Sequence, residues 1–128
     1  MDLLKQYKDE QTFAVIGAAM AVHRELGPGF LESAYGDALE IEFTKRNIPF
    51  EREKLIHIYY KGEPIKTNYQ ADFVCYGSLI VELKTVDQLL DIHRAQIIHY
   101  LRATAIKKGL LVNFRCSSLQ YERFANEY

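Results

Sequence analysis

The stretch from Phe50 to Thr85 leaves this chain the least freedom. It contains three runs rich in β-branched and aromatic residues, separated by Lys61-Gly62 and by Tyr76-Gly77-Ser78. Turn residues between such runs predict successive strands, roughly Phe50–Tyr60, Lys66–Cys75 and Leu79–Thr85. The sequence on either side reads as helix. Residues 10–26 include FAVIGAAMAVHREL, apolar on nearly every side, which predicts a deeply packed helix stopped by Gly27-Pro28-Gly29. A second helix is expected from Phe30 to Arg46, ended by Asn47, Ile48 and Pro49. A third is expected from Gln88 to Ile106, with Gly109 near its end. Leu110–Phe114 then reads as a buried strand and Leu119–Phe124 as a short last one. The order ααβββαββ predicts an α/β (α+β) fold, one mixed sheet flanked by helices.

The length of 128 residues suits a single domain, 1–128, able to bury roughly two-thirds of its unfolded surface. The formal charge of −1, from 16 Lys+Arg against 17 Asp+Glu, lacks the basic excess of a dedicated nucleic-acid binder. Any contact with nucleic acid must therefore use local clusters or metal ions, and the basic residues are scattered as on an ordinary solvated surface. Cys75 and Cys116 stand far apart without a CxxC pattern, as reduced core thiols do, and this points to a reducing, cytoplasmic setting. The start, MDLLKQYKDEQ, is too polar for a signal peptide, and the apolar run Phe13–Val22 is too short to span a bilayer.

The chemistry concentrates on the hairpin of the second and third strands. With Tyr76-Gly77-Ser78 as a three-residue loop, Cys75 pairs with Leu79, and counting back sets Asp72 directly opposite Glu82. Opposed side chains have Cβ atoms about 5 Å apart, so two carboxylates there repel unless a cation lies between them. Lys84 shares their face. Two acids and an amine suit a Mg²⁺ site, in which the backbone carbonyl of Leu83 completes the shell. A salt-bridged surface hairpin would also account for D-x9-E-x-K.

The helices add candidates. On a helical wheel Leu31, Ala34, Tyr35, Ala38 and Leu39 form an apolar arc, and Glu32 falls at its edge. A carboxylate turned toward a core needs a partner or a metal, although Glu32 would also suit the first turn of its helix, and Glu42 points inward by the same count. On the third helix His93, Gln96 and Tyr100 share one polar face bordered by Leu89, Ile92 and Ile97. Gln96 and Tyr100 could hold a phosphate or a carboxylate, or form the hydrogen-bonded edge of an ordinary amphipathic helix.

The segment VHRELGPGFLESAY, the ADF around Asp72, VELKTV around Glu82 and Lys84, and AQIIHYL resemble the GxxExxY proteins over nearly the whole chain. That family is assigned to the PD-(D/E)XK nuclease-like superfamily, whose core is αβββαβ. The resemblance implies that Asp72 and Glu82 bind metal and that Lys84 is the catalytic amine. Glu32 corresponds to a helical acid, and Gln96 with Tyr100 to the Q-x-x-x-Y motif of RecB-like branches. His23 corresponds to an early-helix histidine that some of those branches use as a further ligand; a packed or capping histidine is the plainer alternative.

These readings lead to an expected metal-dependent nuclease, using Mg²⁺ or Mn²⁺ and acting on nucleic acid, DNA ahead of RNA. Homodimerisation to grip a duplex is expected, and no membrane association. The rival is a nuclease-fold module without catalysis that binds a protein or nucleic acid, favoured by the small size and near-neutral charge.

Overall fold

The protein's structure is a computed structural model that describes residues 9–125; the polar stretch 1–8 and residues 126–128 lie outside it. Helix α1 (Glu10–Leu26) starts where Asp9 caps it, accepting from the Gln11 N–H at 3.1 Å and the Thr12 hydroxyl at 2.9 Å. Lys108 pairs with the same carboxylate and ties the helix start to the sheet. The all-round apolarity has the expected result, with Val15, Ile16, Ala18, Ala19 and Val22 buried. Gly27, at φ 71°, ends the helix in a conformation that other residues adopt at a cost.

Helix α2 (Glu32–Lys45) begins two residues later than its apolar pattern suggests. Leu31 is extended, at φ −71° and ψ 155°, and 78% exposed, so it caps the helix and takes no part in the buried arc. The buried face is Tyr35, Gly36, Leu39 and Phe43. Glu42 is half-buried and pairs with Arg46 of its own helix at 2.5 Å.

Strands β1 (Phe50–Tyr60), β2 (Glu63–Cys75), β3 (Leu79–Lys84), β4 (Lys108–Asn113) and β5 (Gln120–Ala125) form one sheet in the order β1-β2-β3-β4-β5. The pairs are antiparallel except β3–β4, which helix α3 (Asp91–Ala103) joins as a parallel crossover. Cys75 does pair with Leu79. Strand β2 starts earlier than expected, since pairing continues to Tyr60 and Glu63 beside the turn. Alternation along β3 sends Val81 and Leu83 into the core with α1 and α2, and Ile80 into a smaller cluster with Leu101 of α3. The mixed sheet between helices is consistent with a restriction-endonuclease-like fold. Among the described residues no helix is long and apolar enough to cross a membrane.

Helix α3 is shorter than the expected 88–106. The Leu90 N–H donates to His93 Nδ1 at 3.0 Å, which caps the helix there, and Thr104 is already extended. Ile92 is 72% exposed and so does not border a buried stripe. Gly109, six residues past the end of the helix, lies inside β4, where a Cβ would stand 2.9 Å from Ile97 Cδ1 and 3.3 Å from Leu101 Cδ1. Its missing side chain lets α3 sit close on the sheet. Gly109→Val should therefore destabilise the fold by about 1–3 kcal/mol through overpacking, read as a lower urea midpoint with an unchanged slope.

Candidate active site

Ladder pairing between β2 and β3 stops at Phe73↔Val81. One step further, the Leu83 N–H donates to the Asp72 carboxylate at 2.8 Å instead of to a strand carbonyl. On the other side, Arg52 pairs with Phe73 and Lys54 with Ala71, while Glu53 between them takes φ 53°, rare for a residue with a side chain. The strands are thus irregular on both sides of Asp72. The register is the expected one, since Phe73↔Val81 leads on to Asp72 and Glu82, but regular pairing ends before that step. The two acids line different hollows. Asp72 shares one of about 150 Å³ with Glu32, Ser33, Gly36, Arg52, Glu53 and Leu83. Glu82 and Lys84 share one of about 200 Å³ with Gln70, His93, Gln96 and Tyr100.

Electrostatics join the hollows. Burial raises the Glu82 carboxyl to about 7, against the pull of Lys84 and the Asp72 backbone, with Glu32 raising it further. Burial also raises Asp72, opposed by the Leu83 N–H, Lys84 and Arg52. Glu32 is raised by burial and by the charge of Asp72, and lowered by Lys84. Lys84 therefore acts on all three carboxylates. The structure brings Glu32, Asp72, Glu82, Leu83 and Lys84 into one neighbourhood and sets Gln96 and Tyr100 on its α3 wall.

It does not bring His23 there. The His23 ring nitrogen Nε2 lies 2.8 Å from the Cys116 carbonyl, and the ring lies beside Phe114, so the packed alternative describes it. Among the described residues no three His, Cys, Asp or Glu side chains converge into a group that could hold a metal. The donor chemistry nevertheless fits a hard cation, since Glu82 Oε1 is buried without a hydrogen-bond partner and the charge of Glu32 acts on the same carboxylate.

Several residues support the site in ways the sequence did not assign to them. Tyr35 donates to the Gly27 carbonyl at 2.6 Å, accepts from the Phe30 N–H at 3.2 Å, and stacks on Phe114 at 4.5 Å. It fixes the loop that delivers Glu32. Arg52 reaches past Gly36, where a Cβ would stand 2.5 Å from Nη2, to pair with Asp37 at 2.6 Å. Tyr69 stacks on Tyr100 at 3.6 Å, and its buried hydroxyl has no partner. Fully buried Asn113 accepts from the Val86 N–H at 3.0 Å and donates to the Val86 carbonyl at 2.8 Å, holding the segment after Lys84. The one available signal was alternation, which puts Tyr69 and Ala71 on one face of β2.

The raised Glu82 predicts a pH dependence. Its folded pKa of about 7 stands above an unfolded value of about 4.3, so folding favours the protonated form. That stabilisation is full below the unfolded value and is lost as pH rises through about 7. Without divalent ions, stability should fall by up to roughly 3 kcal/mol across this window, read by urea denaturation. Glu82→Gln should remove most of the slope.

A family model described as the PD-(D/E)XK nuclease superfamily matches residues 9–124. No curated protein matches the chain. Among solved structures, the protein SSO0001 is similar with a TM-score of 0.53 and 25% identity, over 75% of this chain and 52% of that one. The chain thus spans about half the length of that protein. An alkaline exonuclease, LHK-Exo from Laribacter hongkongensis, gives a TM-score of 0.42 and 13% identity over 86% of this chain and 68% of that one, too loose a likeness to build on.

Proposed function

The chain belongs to the PD-(D/E)XK nuclease superfamily, and from that premise we propose that it hydrolyses phosphodiester bonds in nucleic acid, DNA ahead of RNA, in the cytoplasm. Within the superfamily its signature Gly29-x-x-Glu32-x-x-Tyr35 fits the GxxExxY proteins. Nucleases of this superfamily generally use divalent metals. The observation that carries the reading is the sharing of one lysine charge by three acids with raised pKa values, one of which has an orphaned buried oxygen.

Asp72 and Glu82 would hold Mg²⁺ or Mn²⁺, with Glu32 and the Leu83 carbonyl as further oxygen donors. Such an ion supplies Lewis-acid charge that neutralises phosphoryl oxygens and acidifies water. Leu83, its N–H held by Asp72, keeps the two strands in fixed relation. The Lys84 ammonium orients the attacking water or stabilises charge developing on the phosphorus oxygens. Gln96 and Tyr100 face the Glu82 hollow, where they can donate to the scissile phosphate. Two copies of the chain would give a duplex two such sites.

A second reading, a module that binds without cleaving, draws on the lack of a three-donor metal group among the described residues. Paired variants separate the two. Lys84→Ala should lower Mn²⁺-dependent cleavage of single- and double-stranded DNA by on the order of a hundred-fold or more, with the fold and calorimetric Mn²⁺ binding retained. Asp72→Asn should weaken Mn²⁺ binding itself. Equal cleavage by wild type and Lys84→Ala would place the activity elsewhere. Wild type that neither cleaves DNA or RNA nor binds Mn²⁺ would favour the binding module.

A further inference from the structure

The outer half of the β1–β2 hairpin extends past the rest of the sheet. Strand β3 covers β2 only from Phe73 to Cys75, while β2 runs back to Glu63. Ile56 and Ile58 turn inward against the small cluster that includes Tyr69, Tyr100 and Leu101. The opposite face is open, with Leu55 61% and Tyr59 47% exposed, while Tyr60, 63% exposed, stands at the tip on the side of Ile58. The open face is also continuous with the candidate site. Cα partners Leu55↔Gln70 and His57↔Asn68 share a face, and Gln70 and Asn68 line the hollow that holds Glu82 and Lys84.

Two features bear on what covers this face. The arm is locally basic in a chain of net charge −1, since Lys54, Lys61 and Lys66 between positions 54 and 70 face Glu63 alone. Lys54 pairs with Glu51 at 2.6 Å, but among the described residues neither Lys61 nor Lys66 makes a salt bridge. Lys61 Nζ stands 5.4 Å from the Tyr60 ring centre, which puts a cation and an aromatic face together. The edge strand β1 is interrupted by Glu53 at φ 53° and by a register shift between His57 and Tyr59. Such interruptions blunt an edge against pairing with another strand, which weighs against a second copy.

We propose that this arm is a binding platform for single-stranded nucleic acid, with one base stacked on Tyr59 on its open face and another at Tyr60 where the strand rounds the tip, while Lys61 and Lys66 neutralise the phosphates. A strand on it would run by way of His57, Asn68 and Gln70 into the hollow of Glu82 and Lys84. Exposed aromatic rings beside lysines that make no salt bridge are what a single strand needs, because its bases are unstacked and every base offers a π-face. A duplex hides those faces. The proposal rests on the nuclease reading and adds the substrate form to it.

The test uses a fluorescein-labelled oligothymidine and its duplex, with Ca²⁺ in place of Mg²⁺, read by anisotropy. Wild type should bind the single strand more tightly than the duplex. Tyr59→Ala with Tyr60→Ala should weaken single-strand binding by roughly tenfold or more. Lys61→Gln with Lys66→Gln should weaken it and lower the slope against salt by about one to two. Circular dichroism checks that both variants remain folded. Unchanged affinity in both variants, or tighter binding of the duplex, overturns the platform. Loss of a wild-type dimer in sedimentation, with oligothymidine affinity intact, overturns it in favour of a second copy. Cleavage is scored separately on the same strands. Wild type that cleaves while arm variants bind normally sinks the platform alone, whereas arm-dependent binding without any cleavage sinks the nuclease reading and leaves the platform standing.

Discussion

The hydrogen bond from the Leu83 N–H to the Asp72 carboxylate is the contact on which the site depends. A side chain takes the place that a strand carbonyl would fill in a continuing ladder. Pairing between β2 and β3 ends there, at Phe73↔Val81. Beyond that point β2 leaves β3 and continues with β1 as a two-stranded arm. The space so opened is where Glu82 and Lys84 meet Gln96 and Tyr100.

Around that opening the fold collects charge that it does not neutralise. Glu82 is kept from water on a central strand, and burial outweighs the attraction of Lys84. Asp72 and Glu32 are raised as well, with burial leading in each case. Three acids disfavoured in their charged forms lower stability at neutral pH, a cost that folding alone gives no reason to keep. The surroundings hold them in place nonetheless. Tyr35 pins the loop before Glu32, and Asn113 clamps the segment after Lys84 through both the N–H and the carbonyl of Val86. Tyr69 backs Tyr100 by a near-parallel stack.

Much of this was legible in the residues, because the signals were local. Turn residues at Lys61-Gly62 and Tyr76-Gly77-Ser78 marked the strand ends, and the Cys75–Leu79 register followed from loop length. Periodicity marked Tyr35 and Leu39 as core, and the i, i+3, i+7 spacing put His93, Gln96 and Tyr100 on one face. The pattern was less informative where a residue's neighbours come from elsewhere in the chain. Leu31 and Ile92 are apolar and in phase, yet each lies exposed near a helix start with nothing packed over it. Gly109 marks nothing in the local pattern beyond the neighbourhood of a helix end, but its small size serves the approach of Ile97 and Leu101. His23 is taken up by a carbonyl more than ninety positions away.

The sequence by itself determined which elements form and in what order, and it named the acids and the lysine that stand together. Strand alternation, helix period and turn chemistry act over a few residues, and those are written in the chain. Only the tertiary structure decided that the ladder would end beside Asp72, that Glu32 would share its hollow, and that Arg52 and Tyr69 would join the walls. These outcomes depend on two irregular strands breaking pairing at the same level, and on a helix arriving from forty residues earlier. Which face a side chain presents past such a break is set by what packs against the strands on either side, and that information is spread over the whole fold.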